Sequence, residues 1–195
     1  KRLNLQHSLP VVLFEPNHLQ LLGGSPERRR DYLDDLIEQT TPGYGTIRRQ
    51  YRRALAQRNS LLKKVAGSSR SQVFPWDVRL SHLAGQIVRA RSSLAQEINK
   101  EIPKIYQQIS GTKTEVTVKY QNRWPVDNYE SQMLKKLESS FDDDRLRGFT
   151  SVGPHREDLE VLFDGRAAQN TASRGEARTA VLALKIIELK IIEAA

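Results

Sequence analysis

The sequence has no cysteine, so disulfide frameworks, zinc ribbons and thiol nucleophiles are all excluded. It holds a single methionine, and aromatic residues make up only 7%. No apolar run approaches the roughly 18 residues of a transmembrane helix. The opening Lys1-Arg2-Leu3-Asn4 leads into no secretory apolar segment. These absences set the expectation of a cytoplasmic protein. There is also no Gly-Lys dipeptide, so the usual phosphate-binding P-loop is missing. Four histidines, at 7, 18, 82 and 155, are scattered, and no two share metal-ligand spacing on one helix. No metal site is expected.

What is present is a chain of 195 residues with a formal charge of +8, long enough to bury a core. The charge is uneven. Residues 1–72 carry 13 Lys/Arg against 6 Asp/Glu, whereas residues 73–195 carry 18 against 17. A localised basic excess points to a polyanionic partner more than a diffuse one does. The chain begins without methionine and ends on Ile191-Ile192-Glu193-Ala194-Ala195, so both ends are expected to be cuts in a longer protein.

Periodicity predicts a mainly helical α+β fold. Val11 to Phe14 reads as a short buried strand stopped by Pro16. Ser25-Pro26 starts a helix running to about Gln39. A second helix spans about Tyr44 to Val65, with Ile47, Tyr51, Leu55, Leu62 and Val65 on one face. A third starts at Pro75-Trp76-Asp77 and runs to about Ile109, disturbed at Pro103. The second and third should pack as an antiparallel hairpin. Val116 and Val118 alternate with polar residues, as in a strand. A short helix is expected over Tyr129 to Phe141, and strands over Phe149 to Val152 and Leu159 to Phe163. Asp164-Gly165 is a hairpin turn signal. The same stretch, Glu160 to Asp164, mimics a strand ending in a magnesium carboxylate, but its alternation favours the plain hairpin. The last helix, about Ser173 to Glu193, is apolar on more than one side and expects burial in a larger body.

Three groups of residues carry candidate chemistry. In Ala172-Ser173-Arg174-Gly175-Glu176-Ala177-Arg178, Ser173 is placed to cap a long helix. Its hydroxyl, the free N–H groups of the first turn and the small Gly175 make either an anion site or only an N-cap. Arg174 and Arg178 add positive charge. In Gly153-Pro154-His155-Arg156-Glu157-Asp158, His155 and Arg156 either face a phosphate or solvate a loop. Arg28, Arg29 and Arg30, with Arg48, Arg49, Arg52, Arg53, Lys63 and Lys64, either track a nucleic-acid backbone or pair with Asp31, Asp34, Asp35 and Glu38. Arg58 lies within an apolar face and is expected to form a buried structural pair.

Four segments in order resemble the RecF family of ABC-type, SMC-like ATPases. They are Glu15 to Asp34, with its Gly-x-x-Pro and arginine run; Tyr51-Arg52-Arg53-Ala54-Leu55-Ala56-Gln57-Arg58-Asn59; Gly153 to Leu159; and Ser173-Arg174-Gly175-Glu176 with Arg178. Asn17 departs from the pattern, which has an acidic residue there. The resemblance implies that Ser173 to Glu176 is the ABC signature, reaching in trans to the γ-phosphate of ATP on a partner. It implies residues 1–25 as a lead-in from the ATPase lobe, 26–141 as a helical arm and 142–195 as the return segment with the signature. It further implies ATP with magnesium, an ATP-dependent homodimer, binding to double-stranded DNA and gap junctions, RecR and RecO partners, and roles in replication, repair, recombination and the SOS response. Without a P-loop or the metal-binding carboxylates, these residues are not expected to hydrolyse ATP unaided. The rival reading is a helical DNA- or protein-binding or dimerisation module with no nucleotide function.

Overall fold

The computed structural model describes residues 19–64 and 69–195. The expected strand at 11–14 and Val65 lie outside these residues. Two helices precede the long hairpin: α1 (Gln20–Gly23) and α2 (Pro26–Thr40). The hairpin is α3 (Tyr44–Leu62) and α4 (Arg70–Ser110). Next come β1 (Val116–Gln121), a single 3-10 turn at Val126–Asn128, α5 (Tyr129–Ser139) and α6 (Phe141–Arg147). The chain continues through β2 (Asp158–Phe163), β3 (Arg166–Ala167), α7 (Ala168–Thr171) and α8 (Arg174–Ala194). No described helix is long and apolar enough to cross a membrane.

The 41-residue α4 is the spine. Its start lies earlier than the sequence suggests, because Ser69 and Gln72 form a reciprocal capping box ahead of Pro75. Pro75 and Pro103 both sit inside it, each removing one backbone donor without ending the helix. Helix α3 packs against the first half of α4 in antiparallel register. Leu62 clusters with Val73, and Arg58 pairs with Asp77. At the other end of α4, Asn99 accepts from and donates to the backbone of Val118, tying the sheet to the spine.

The sheet has the order β1-β2-β3, all antiparallel. Val116, Val118 and Tyr120 stand opposite Phe163, Val161 and Leu159, and all six are buried on one face. Phe163 meets Tyr106 of α4 edge-on, with ring centroids 5.5 Å apart. Asp164 and Gly165 both take positive φ, as a two-residue hairpin turn with right-handed twist requires. One continuous core holds Leu33 of α2, Tyr44 of α3, Ile98 of α4, Leu159 of β2 and Leu184 of α8. Strand β1 comes from the expected arm and β2 from the expected return segment, and they pair in one sheet.

Two expectations are corrected. The helix predicted over 129–141 ends at Ser139, and a separate helix, α6, follows. Asp142, Asp143 and Asp144 suit its first turn, where the helix dipole favours negative charge. Residues 149–152 form no strand. There the backbone N–H of Thr150 donates to the Asn59 side chain at 2.8 Å, and that of Ser151 to Asp144 Oδ1 at 3.2 Å. Side chains thus satisfy the groups a strand partner would otherwise bond. The apolar outer side of α8 is only partly covered: Leu182 remains 38% exposed.

Candidate functional site

The start of α8 is exposed and fully capped. Ser173 Oγ accepts from the Glu176 N–H at 3.3 Å, and Glu176 Oε2 accepts from the Ser173 N–H at 2.7 Å. The bond from the Ser173 backbone, with its side chain, holds the Glu176 carboxyl below the usual range. Capping leaves the N–H groups of Arg174 and Gly175 without partners in the helix, at the positive end of a 21-residue dipole. Ser173, Arg174, Gly175 and Arg178 are all exposed. Gly175 meets no packing demand: an added Cβ would find only Ser173 Oγ, at 4.0 Å. A residue poor in helix propensity therefore sits in the first turn where the fold would accept alanine. Chemically, this helix start can hold an anion through two backbone donors, a hydroxyl and two flanking guanidinium groups.

The segment 153–158 has turned inward. Gly153 takes φ 128°, and a Cβ there would meet the Tyr51 hydroxyl at 2.6 Å and the Met133 methyl at 2.9 Å, so only glycine fits. Tyr51, its hydroxyl pushed up by burial, stays protonated and donates to His155 Nδ1 at 2.7 Å. His155 Nε2 then donates to the Thr150 carbonyl at 3.2 Å. Both ring nitrogens are engaged within the protein, and His155 is not turned toward a phosphate. Arg156 is exposed, its guanidinium 4.9 Å from the centre of the Phe149 ring.

Burial pushes His155 down to about 4, against an ordinary histidine value near 6.5. Between those values the unfolded chain takes up a proton that the folded chain refuses. Stability should therefore fall as pH drops from about 6.5 to about 4, by at most about 3 kcal/mol. Urea unfolding of the native chain and of His155→Gln across this window checks it. The variant should show a flatter profile, and parallel profiles would contradict this environment for His155.

Two buried ionic networks, mostly unread in the sequence, fix the surrounding elements. In the first, Arg91 of α4 grips Asp34 of α2 with two bonds, 2.8 and 3.0 Å. It also donates to the Tyr120 hydroxyl at 3.0 Å and the Pro154 carbonyl at 2.8 Å. Tyr44 donates to Asp34 at 2.7 Å. Despite the cost of burial, the bond and charge of Arg91 leave the Asp34 carboxyl below its ordinary range. Tyr120 and Tyr129 each donate to the Glu157 carboxylate at 2.7 Å. In the second network Arg58 is 0% exposed and bonds Asp77, Asp144 and Thr150 at 2.5, 2.8 and 3.0 Å. The expected buried pair at Arg58 is present. Both arginines occupy positions of an apolar helix stripe, 51-55-58-62 and 87-91-94-98. That was the available signal, since a cation at such a position must be paired.

The basic candidates separate into two groups. Arg29 is 4% exposed and is spent on Asp158, at 2.8 and 2.7 Å, and the Gly24 carbonyl at 2.7 Å. Arg30 donates to the Glu157 carbonyl at 2.8 Å. Arg48 bonds Asp31 and Asp35 at 2.7 and 2.8 Å, and its Nε lies 3.1 Å from Asp34 as an ion pair without hydrogen-bond geometry. Arg29 and Arg48 hold α2 to β2 and to α3, and are not available to a nucleic acid. Arg28, Arg49, Arg52, Arg53, Lys63 and Lys64 are exposed. The nearest carboxylates to two of them are distant: Arg49 lies 3.8 Å from Glu38 and Arg52 3.8 Å from Asp31, and Arg49 donates to the Thr46 hydroxyl at 3.0 Å.

A helical hairpin built on one long spine, joined to a small antiparallel sheet and a capped helix, matches part of an ABC-type ATPase fold. No family model matches the chain. It is 35% identical over 193 residues to the DNA replication and repair protein RecF of Synechococcus sp. (strain JA-3-3Ab), spanning 94% of this chain. The RecF of Heliobacterium modesticaldum is 32% identical over 195 residues, spanning 97% of this chain. The solved structure of a recombination mediator protein RecF with ATP in the RecFOR pathway superposes with a TM-score of 0.87 at 30% identity, covering 93% of this chain and 50% of that one. The chain belongs to the RecF family. It spans about half the length of the curated relatives it matches, 51% and 52% for these two.

Proposed function

We propose that these residues are the arm and signature-bearing segment of a RecF protein that dimerises on ATP and acts in DNA repair. Ser173, Gly175 and the N–H groups between them contact the γ-phosphate of a nucleotide held by the partner protomer, with Arg174 and Arg178 supporting the charge. The observation that carries this reading is the exposed, capped start of α8, with a glycine that the fold does not need. The likeness to a structure of RecF with ATP supports it. In this arrangement ATP, with its magnesium, joins two heads, and the dimer clamps double-stranded DNA at gap junctions in the cytoplasm. RecR and RecO are its partners in loading recombinase. Residues 26–141 serve as the arm, with 1–25 leading in from the ATPase lobe and 142–195 returning to it.

In a protein of the relatives' full length, Ser173→Arg should abolish ATP-dependent dimerisation measured by light scattering. The monomer should keep its fold, because Ser173 is exposed and contributes only a cap worth about 1 kcal/mol. Dimerisation that survives the change would remove the assignment of the signature.

A further inference from the structure

Helix α3 and the two residues after it, Tyr44 to Lys64, contain seven cations and no carboxylate. Arg48 and Arg58 are consumed inside the protein. Arg49, Arg53, Gln57, Ser60 and Lys64 are exposed and recur every three or four residues, so they form one outward stripe. The stripe is about 22 Å long. It runs into a shallow groove of about 480 Å³ between the ends of α3 and α6, lined by Leu62, Lys63, Lys64, Arg145, Leu146, Arg147 and Gly148. The groove has four cations and no anion. Among the described residues, no carboxylate lies within ion-pair distance of Lys63, Lys64 or Arg147, and Arg145 has only Asp142, at 3.8 Å. Asp142 itself is held by Arg70 at 2.7 Å. Gly148 closes α6 at φ 72°, and a Cβ there would press on Lys63 Cγ at 3.3 Å, so the two helix ends are in contact.

Cations at helix C-termini are stabilising by themselves. That does not account for Leu146, which is 85% exposed between Arg145 and Arg147. An apolar side chain offered to solvent between two arginines suits a minor groove, where such residues press against sugars and base edges while arginines hold the phosphates. A single small anion would fill the groove but leave the stripe unused. The length of the stripe fits several phosphates in succession.

We infer that the outer stripe of α3 and the groove at its end form a track for duplex nucleic acid, with Leu146 seated in the minor groove. This track lies at the opposite end of α4 from the signature: Tyr106, near Glu176, and Val73, beside Leu62, are about 50 Å apart along the helix. The inference deepens the DNA part of the proposed function and leaves the nucleotide part independent.

Fluorescence anisotropy of a labelled 20-base-pair duplex with the 195-residue chain tests it, over a salt series. Lys63→Ala/Lys64→Ala and Arg145→Ala/Arg147→Ala should each weaken binding about tenfold or more and reduce the slope of log K against log salt by about 2. Leu146→Ala should weaken binding several-fold with the slope unchanged. All these residues are exposed, and unaltered thermal unfolding should accompany each change. If either double variant binds as the native chain does, the track is wrong while the DNA reading stands. If the native chain fails to bind duplex at low salt, both fall. Tighter binding to anionic vesicles or to an acidic peptide than to duplex would also overturn the track.

Discussion

Replacing Arg58 by methionine should destabilise the fold by about 3–5 kcal/mol, which for a chain of this size lowers the melting temperature by roughly 10 °C. The reason is what is left behind. Asp77 and Asp144, 5% and 0% exposed at their side chains, would remain buried without their cation. Burial already pushes the Asp77 carboxyl up even with Arg58 beside it. Thr150 would lose one of the bonds holding the segment before Gly153. Arg58→Lys should recover little, since one ammonium cannot reproduce the fork that reaches α4, α6 and the 149–152 segment together. Denaturant melts of the three proteins check this. A loss below about 1 kcal/mol would mean that the network contributes little to the fold.

The second large effect is expected at Arg91. Arg91→Leu should also cost about 3–5 kcal/mol, because Asp34 is then buried with only Tyr44 and the edge of Arg48 facing it. Asp34→Leu should cost a similar amount by stranding Arg91. The double variant should lose clearly less than the sum of the two, since removing both charges leaves an apolar contact between α2 and α4. A coupling of about 2 kcal/mol or more is expected, and strict additivity would contradict a direct pair. These contacts also tie the hairpin and the sheet to the 153–158 segment. Arg91 reaches Pro154, and Glu157 gathers Tyr120 and Tyr129, so the 153–158 segment is fastened from three sides.

Much of this was legible in the sequence, for identifiable reasons. The apolar stripes of α3 and α4 gave the antiparallel hairpin, and alternation gave the register-bearing residues Val116, Val118, Leu159, Val161 and Phe163. Ser173 announced the N-cap of α8, and the structure adds the reciprocal bond from Glu176. What escaped was set by tertiary contacts. Residues 149–152 have the apolar composition of a strand, but Asn59, more than 90 residues away in sequence, takes the backbone donor a neighbouring strand would need. Arg29 and Arg49 are both helical arginines with another arginine beside them in the sequence. Only the fold reveals that Asp158 lies opposite the first, while the second points outward. His155 looked like a polar loop residue because nothing local marks Tyr51 as its partner.

In the proposed function the start of α8 meets the nucleotide across a dimer. The 195 residues contain no cysteine, so one label can be placed there cleanly. Thr171→Cys places it at an exposed position two residues before the cap. In a protein of the relatives' full length, with any cysteine outside these residues replaced, it would carry an environment-sensitive fluorophore. Adding ATP should shift the emission in step with dimer formation, and Ser173→Arg on the same background should eliminate both. A dimer that forms on ATP with no change at this label would contradict the account.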